Sequence, residues 1–176
     1  VAGIVASRNL TYKGIAPNSS ILNARVCTTG GCASSWMMSA MDWCVNQGAQ
    51  VLSISIGGTY NPNDGSDALS AYSDTIVDQG KTVVIAAGNS GPNSNTIACP
   101  ACAHKVVAIG ATYKQSYSGW NWGSCTDTSP SQDQIVCISG RGPTNDSRIK
   151  PDLVAPGAMI KSANAGYESD GLWVEK

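Results

Sequence analysis

The chain has no phenylalanine and a single histidine, and only 13% of its 176 residues are charged, with a formal net charge of -1. So weak and balanced a charge excludes the basic footprint that recognises nucleic acid or an anionic membrane surface. No run of about 18 apolar residues occurs, so no stretch has the length of a membrane-spanning helix. Neither GxGxxG nor GxxxxGK[ST] is present, which removes the phosphate-cradling loops of the common nucleotide-binding folds. Also missing are internal repeats, charge blocks, an initiator Met and a signal sequence. The chain opens on Val1-Ala2-Gly3-Ile4-Val5-Ala6, so its true N-terminus is expected elsewhere.

What is present suits a single loop-rich α/β domain: 19 Gly, many Ser, Thr and Asn, and Trp and Tyr as the only aromatic bulk. Four apolar runs have the length and β-branched content of buried parallel strands: Ile21 to Val26, Val51 to Ile56, Val83 to Ala87 and Val106 to Ile109. Between the first two, Trp36, Met37, Ala40, Met41, Cys44 and Val45 share one helical face, and Gly48 ends the helix. Between the second and third, Asp67 to Gln79 repeats the pattern with Leu69, Tyr72, Ile76 and Val77, capped by Ser66/Asp67 and closed by Gly80. Tyr113 to Cys137 has no sustained period and is expected to be a long surface loop.

Seven cysteines are many for a reduced cytosolic protein and favour an oxidising compartment, hence secretion. Cys99-Pro100-Ala101-Cys102 has the spacing of half a zinc site or a redox pair. With no second CxxC and no paired histidines beside it, a structural loop pair is favoured. Cys125 and Cys137 bracket the irregular loop and are expected to close it as a disulfide. Cys27 with Cys32 is a second candidate pair, and Cys44 on the apolar helix face is expected to be a buried free thiol.

The run Val84-Ile85-Ala86-Ala87-Gly88-Asn89-Ser90-Gly91-Pro92 puts an amide side chain at the carboxyl edge of a parallel sheet, where ligand sites form. Glycines on both sides of Asn89 allow the close backbone approach that an amide aimed at a developing oxyanion needs. By itself the segment reads first as a plain Asn-Ser-Gly-Pro β-turn with no catalytic duty.

Five segments, in order along the chain, resemble the subtilisin-like serine proteases (subtilases). Val1 to Ala6 resembles the continuation of the family's catalytic-histidine motif. Gly14-Ile15-Ala16-Pro17 resembles its approach to a central strand, and Ser53-Ile54-Ser55-Ile56-Gly57-Gly58 its substrate-binding strand. Ala86-Ala87-Gly88-Asn89-Ser90-Gly91 resembles the oxyanion-hole motif. Ser139 to Thr144 and Lys150-Pro151-Asp152-Leu153-Val154-Ala155-Pro156-Gly157 resemble the segment before the catalytic serine.

The resemblance implies a three-layer α/β fold with a central, mostly parallel sheet flanked by helices. Residues 1 to 176 would be a partial peptidase domain, running from just after the catalytic-histidine motif to just before the catalytic-serine motif. The activity implied is endopeptidase cleavage through an acyl-enzyme, with an Asp/His/Ser triad outside this stretch, so that this piece alone is inactive. Asn89 would donate to the oxyanion, Ser55, Ile56 and Gly57 would pair with an extended substrate, and Ala86, Ala87 and Gly88 would wall the specificity pocket. Implied partners are polypeptide substrates and a propeptide or protein inhibitor. No cofactor is implied for the chemistry, while structural calcium is compatible with the family. The loop Cys99 to Val106 resembles one that carries a cis proline and whose backbone carbonyls hold a weak monovalent or calcium ion.

His104 lies in that loop, and a surface role is expected for it. Asp42, Asp67, Asp74 and Asp78 lie on helical faces and read as solvated carboxylates without partners. Asn9, Asn18 and Asn145 begin short glycosylation patterns that decide nothing. A catalytically silent relative that keeps the fold as a binding module fits the same motifs, because none of the triad lies within the chain.

Overall fold

Three of the four apolar runs find ladders in a four-stranded parallel sheet. The computed structural model describes residues 1 to 163 and 173 to 175. After a five-residue helix α1 (Ala2–Ala6) come α2 (Ser34–Asn46), β1 (Val51–Ile54), α3 (Ala68–Asp78), β2 (Thr82–Ala86) and β3 (Val107–Tyr113). The short strands β4 (Gly119–Asn121) and β5 (Thr126–Thr128) form an antiparallel hairpin. β6 (Leu153–Ala158) completes the parallel sheet, whose strand order is β1-β2-β3-β6, and β7 (Lys161–Ala163) pairs antiparallel with β8 (Trp173–Glu175).

Both predicted helices form where their caps and apolar faces place them. Asp67 caps α3 by accepting from the Ser70 N–H, and Gly48 and Gly80 follow the two helix ends with φ of 87° and 80°. Met37 and Met41 of α2 and Leu69 and Ile76 of α3 are buried with Val83, Ile85 and Ala108 of the sheet in one core. A fully buried Ile or Val contributes roughly 1.5–3 kcal/mol, so this cluster is what holds the helices on the sheet. Trp36, expected on the packed face, is 49% exposed, and Cys44 is a half-buried free thiol rather than a fully buried one. Burial nonetheless raises the Cys44 thiol above its ordinary pKa.

Ile21 to Val26 is not a strand. The segment enters no ladder, Ile21 and Leu22 are exposed, and only Val26 packs against the core. β-branched content marks a segment as suited to a sheet, but a strand needs a partner in register, which propensity does not supply. The converse error is β6. Pro156 and Gly157 lie inside it, yet it pairs with β3 from Ile109↔Leu153 to Thr112↔Pro156, with an irregularity just beyond. A proline is tolerated there because β6 is an edge strand.

The expected surface loop is instead anchored. Tyr113 is fully buried, with Val136, Ala158 and Met159 forming a second core. Its hydroxyl donates to Asp127 Oδ2 at 3.0 Å and accepts from Trp122 Nε1 at 3.0 Å, while the Cys137 N–H donates to the same carboxylate oxygen at 2.9 Å. The Cys125–Cys137 disulfide, with Cα atoms 6.2 Å apart, ties the hairpin to this cluster. Three-residue strands are too short to leave a periodic signature in sequence.

Candidate functional site

Because β1 and β2 are parallel and in register (Ile54↔Ile85), the segments leaving them emerge side by side at the carboxyl edge of the sheet. Ser55, Ile56 and Gly57 lie past the end of β1, with Ser55 and Gly57 exposed. The next backbone pairing is between Gly58 and Cys99, which exchange N–H···O bonds of 2.9 Å. β2 ends in Ala86, exposed, and is followed by Ala87, buried, and by Gly88 and Asn89. The alternation of a strand thus leaves one alanine facing outward and sends the next into the core.

Glycines set the shape of the turn after β2. Gly88 has φ of 98°, and a Cβ there would sit 2.6 Å from Ala98 Cβ. From the other side Gly140 packs so closely that a Cβ would lie 2.2 Å from the Ala87 carbonyl oxygen. The Gly140 N–H donates to Gly88 O at 2.9 Å, the Ala98 N–H to Ala87 O at 2.9 Å, and the Gly91 N–H to Ile138 O at 2.9 Å. The backbone on each side of Asn89 is therefore fixed to two neighbouring segments. Asn89 itself is exposed, and its amide makes no hydrogen bond among the described residues. A plain Asn-turn spends the side chain on its own backbone, as Asn9 does here toward Thr11 and Tyr12. Asn89 does not.

All seven sequence-derived site residues, Ser55, Ile56, Gly57, Ala86, Ala87, Gly88 and Asn89, thus gather at one edge. Sequence reasoning missed the ties that hold them there. Thr59 and Ser90 hydroxyls are 3.5 Å apart across the two emerging segments. Asn63, buried to 3% exposure, donates to the carbonyls of Asn95 and Ile97 and accepts from the Asn145 N–H at 2.9 Å. Nothing in the Asn-Pro-Asn-Asp run at 61 to 64 distinguishes that asparagine from a surface turn residue.

The loop from Ile97 to Val106 runs from this edge back to the start of β3. Cys99 and Cys102 in it are joined by a disulfide, and the Cys99–Pro100 bond is cis, as expected. Asp67, Cys99 and Cys102 place ligand-type atoms within 4.8 Å of one another. The two sulfurs are bonded to each other, however, and offer no thiolate to a metal. Cys27 and Cys32 form the other expected bridge.

His104 lies before β3, at the sheet edge opposite Asn89, with its side chain 52% exposed between Asp74 (3.5 Å) and Asp146 (3.7 Å). It cannot reach the site. The helical carboxylates are not the unpartnered groups the sequence suggested. Asp42 accepts from the Tyr72 hydroxyl, Asp67 caps α3, Asp74 accepts from the His104 and Lys105 N–H groups, and Asp78 pairs with Lys105 at 2.6 Å. Apart from the local Asp67 cap, these partners lie about 30 residues away and are invisible to local spacing.

Comparison with known proteins agrees with this geometry. The subtilase family model, Peptidase_S8, matches residues 1–172. Pyrolysin of Pyrococcus furiosus is 32% identical over 93% of the chain, and the serine protease AprX of Bacillus subtilis is 30% identical over 92%. The chain spans only 12% and 37% of those two proteins. In fold, the CspB protease of Clostridium perfringens superposes with a TM-score of 0.75 at 16% identity, covering 99% of the chain and 64% of that structure. A carboxyl-edge site fixed by glycines, the ordered motifs and a family match across nearly the whole sequence lead to one conclusion: the chain belongs to the subtilase family.

Proposed function

We propose that this chain supplies the oxyanion donor and the substrate-pairing edge of a secreted serine endopeptidase. The observation that carries the reading is Asn89, an exposed amide without a hydrogen-bond partner among the described residues, on a backbone fixed on both sides by close contacts at Gly88 and Gly140. A preorganised donor needs no reorganisation as charge develops, and that is how such groups lower a barrier. Ser55 to Gly57 lie beyond the β1 ladder and are proposed to take an extended peptide as an added antiparallel strand. The exposed face of Ala86 with Gly88 would form one wall of the specificity pocket, and small residues there leave depth for a sizeable side chain.

The nucleophile, base and orienting carboxylate are proposed to come from residues outside this chain, so the isolated stretch is expected to be inactive. Three disulfides are consistent with an oxidising compartment. Polypeptides are the proposed substrates, and a propeptide or protein inhibitor would bind along the same edge.

The test is steady-state kinetics of the full-length protein and its Asn89→Ala variant on a peptide substrate, with thermal melts alongside. A loss in kcat at unchanged melting temperature and little-changed KM supports the oxyanion role. Unchanged kcat, or a loss that tracks unfolding, returns Asn89 to a turn residue.

A further inference from the structure

The loop from Cys99 to Val106 turns several backbone carbonyls toward one region between α3 and the start of β6. The resemblance to subtilases implies that such carbonyls hold a weakly bound cation, so the question is whether these oxygens are free to take one. They are not. Arg148 donates through Nη2 to Cys102 O at 2.8 Å and Asp64 O at 2.7 Å, and through Nη1 to Ala103 O at 3.1 Å, while its Nε reaches Asp146 Oδ2 at 2.6 Å. Lys150, with a side chain only 4% exposed, donates through Nζ to Val106 O at 2.9 Å and to Asp152 Oδ2 at 2.6 Å. The same Asp152 oxygen accepts from the Ala108 N–H at 2.7 Å, and the Asp152 N–H donates to Ala108 O at 3.0 Å. Carbonyl and carboxylate oxygens gathered around a desolvated positive charge are the donor set of a hard cation. Here the charge belongs to the chain.

We propose that the Lys150 ammonium is a built-in cation, which with the Arg148 guanidinium holds the loop in place of a bound metal ion. A buried ammonium persists only when hydrogen-bonded to oxygens that repay its desolvation, and Val106 O and Asp152 provide them. Loop 97 to 106 also carries Ala98, packed behind Gly88, and Cys99, paired with Gly58, so the inner wall of the site owes its position to these two side chains rather than to cation supply. Removing the ammonium leaves the Val106 carbonyl and the Asp152 carboxylate without their shared donor.

The experiment uses the full-length protein and Lys150→Met, freed of divalent ions by chelation and returned to choline, sodium, potassium or calcium chloride at equal ionic strength. Readouts are the melting temperature and hydrogen exchange of the peptide spanning Ala98 to Ala108, which reports this loop and no other ion site. Wild-type loop exchange should be the same in all four salts. The variant should melt about 5 °C or more lower in choline and exchange this loop about tenfold faster. Sodium, potassium or calcium, but not choline, should reverse most of both changes. A variant equally impaired in every salt, a variant indistinguishable from wild type in choline, or wild-type loop exchange that slows specifically with a metal ion would each overturn the proposal. Should Lys150→Met fail to fold, Lys150→Glu places a second carboxylate beside Asp152, and its loop should become calcium-dependent; indifference to calcium there would equally overturn it.

Discussion

The two edges of the parallel sheet are built on opposite plans. At the carboxyl edge, where β1 and β2 end, the residues are small and uncharged, glycines bring segments within van der Waals limits, and Asn89 is left unspent. At the amino edge, where β3 and β6 begin, Asp74, Arg148, Lys150 and Asp152 are joined by charged hydrogen bonds to distant backbone groups, and Asp146 holds the Arg148 guanidinium. The difference separates reactivity from anchorage. A polar group satisfied within the protein contributes to stability and has nothing left for a substrate, whereas a group held in place through its neighbours' backbone keeps its own hydrogen-bonding capacity free.

If that division is right, mutations at the two edges should fail differently. The largest effect is expected at the carboxyl edge. Asn89→Ala should lower kcat by about 10²–10³, a magnitude carried over from subtilisin itself rather than obtained from this geometry, while the melting temperature stays put. A parallel loss of stability would erase the contrast between the edges.

Next comes the hairpin, which belongs to neither edge. Replacing Cys125 and Cys137 together by serine reopens a loop with a sequence separation of 12 and should lower unfolding free energy by roughly 3 kcal/mol, measured by denaturant titration. The proteolytic rate of the full-length enzyme at moderate temperature should change much less than in Asn89→Ala. Within the same cluster, Tyr113→Phe removes a hydroxyl that both donates to buried Asp127 and accepts from half-buried Trp122, leaving each without that partner. A loss of about 1–2 kcal/mol is expected. Burial and the neighbouring carboxylate already raise the Tyr113 pKa above that of a free phenol, so the group is neutral throughout the neutral range.

The smallest effect sharpens the comparison at the amino edge. The Arg148 and Thr144 hydrogen bonds hold the Asp146 carboxyl down to about 2, against an ordinary value of 3.8. A carboxylate with a depressed folded pKa stabilises above its unfolded value, and that contribution fades as pH falls from about 4 toward 2. Asp146→Asn should therefore be less stable than wild type at pH 6, by no more than about 1 kcal/mol in a denaturant titration because the pair is partly exposed. The gap should close near pH 2. A gap that persists in acid would assign the effect to packing rather than charge.

Much of this was legible in the residues. The helices announced themselves through apolar faces, an aspartate cap and terminal glycines, and three of the four predicted strands formed. That the seven candidate residues gather at one edge followed from motif order and from the rule that parallel strands present their carboxyl ends together. The failures share a cause. Ile21 to Val26 has the composition of a strand and no ladder, β6 has a ladder and a composition marred by proline, and the Tyr113 to Cys137 segment hides its order in contacts across the hairpin. Each depends on a partner far away in sequence.

By itself, then, the sequence determined what acts locally: helix extent, the glycine turn around Asn89, the cysteine pairs of the loops, and membership of a family through motifs in a set order. Only the tertiary structure decided which carboxylates are spoken for, that His104 stands at the edge opposite Asn89, and that Lys150 and Arg148 fill the oxygens of the loop from Cys99 to Val106. Propensity and capping act over a turn of chain and are written in neighbouring residues. Hydrogen-bond satisfaction and burial are settled between segments 30 to 80 residues apart, as the Asn63 contact with Asn145 shows, and they exist only once the chain has closed.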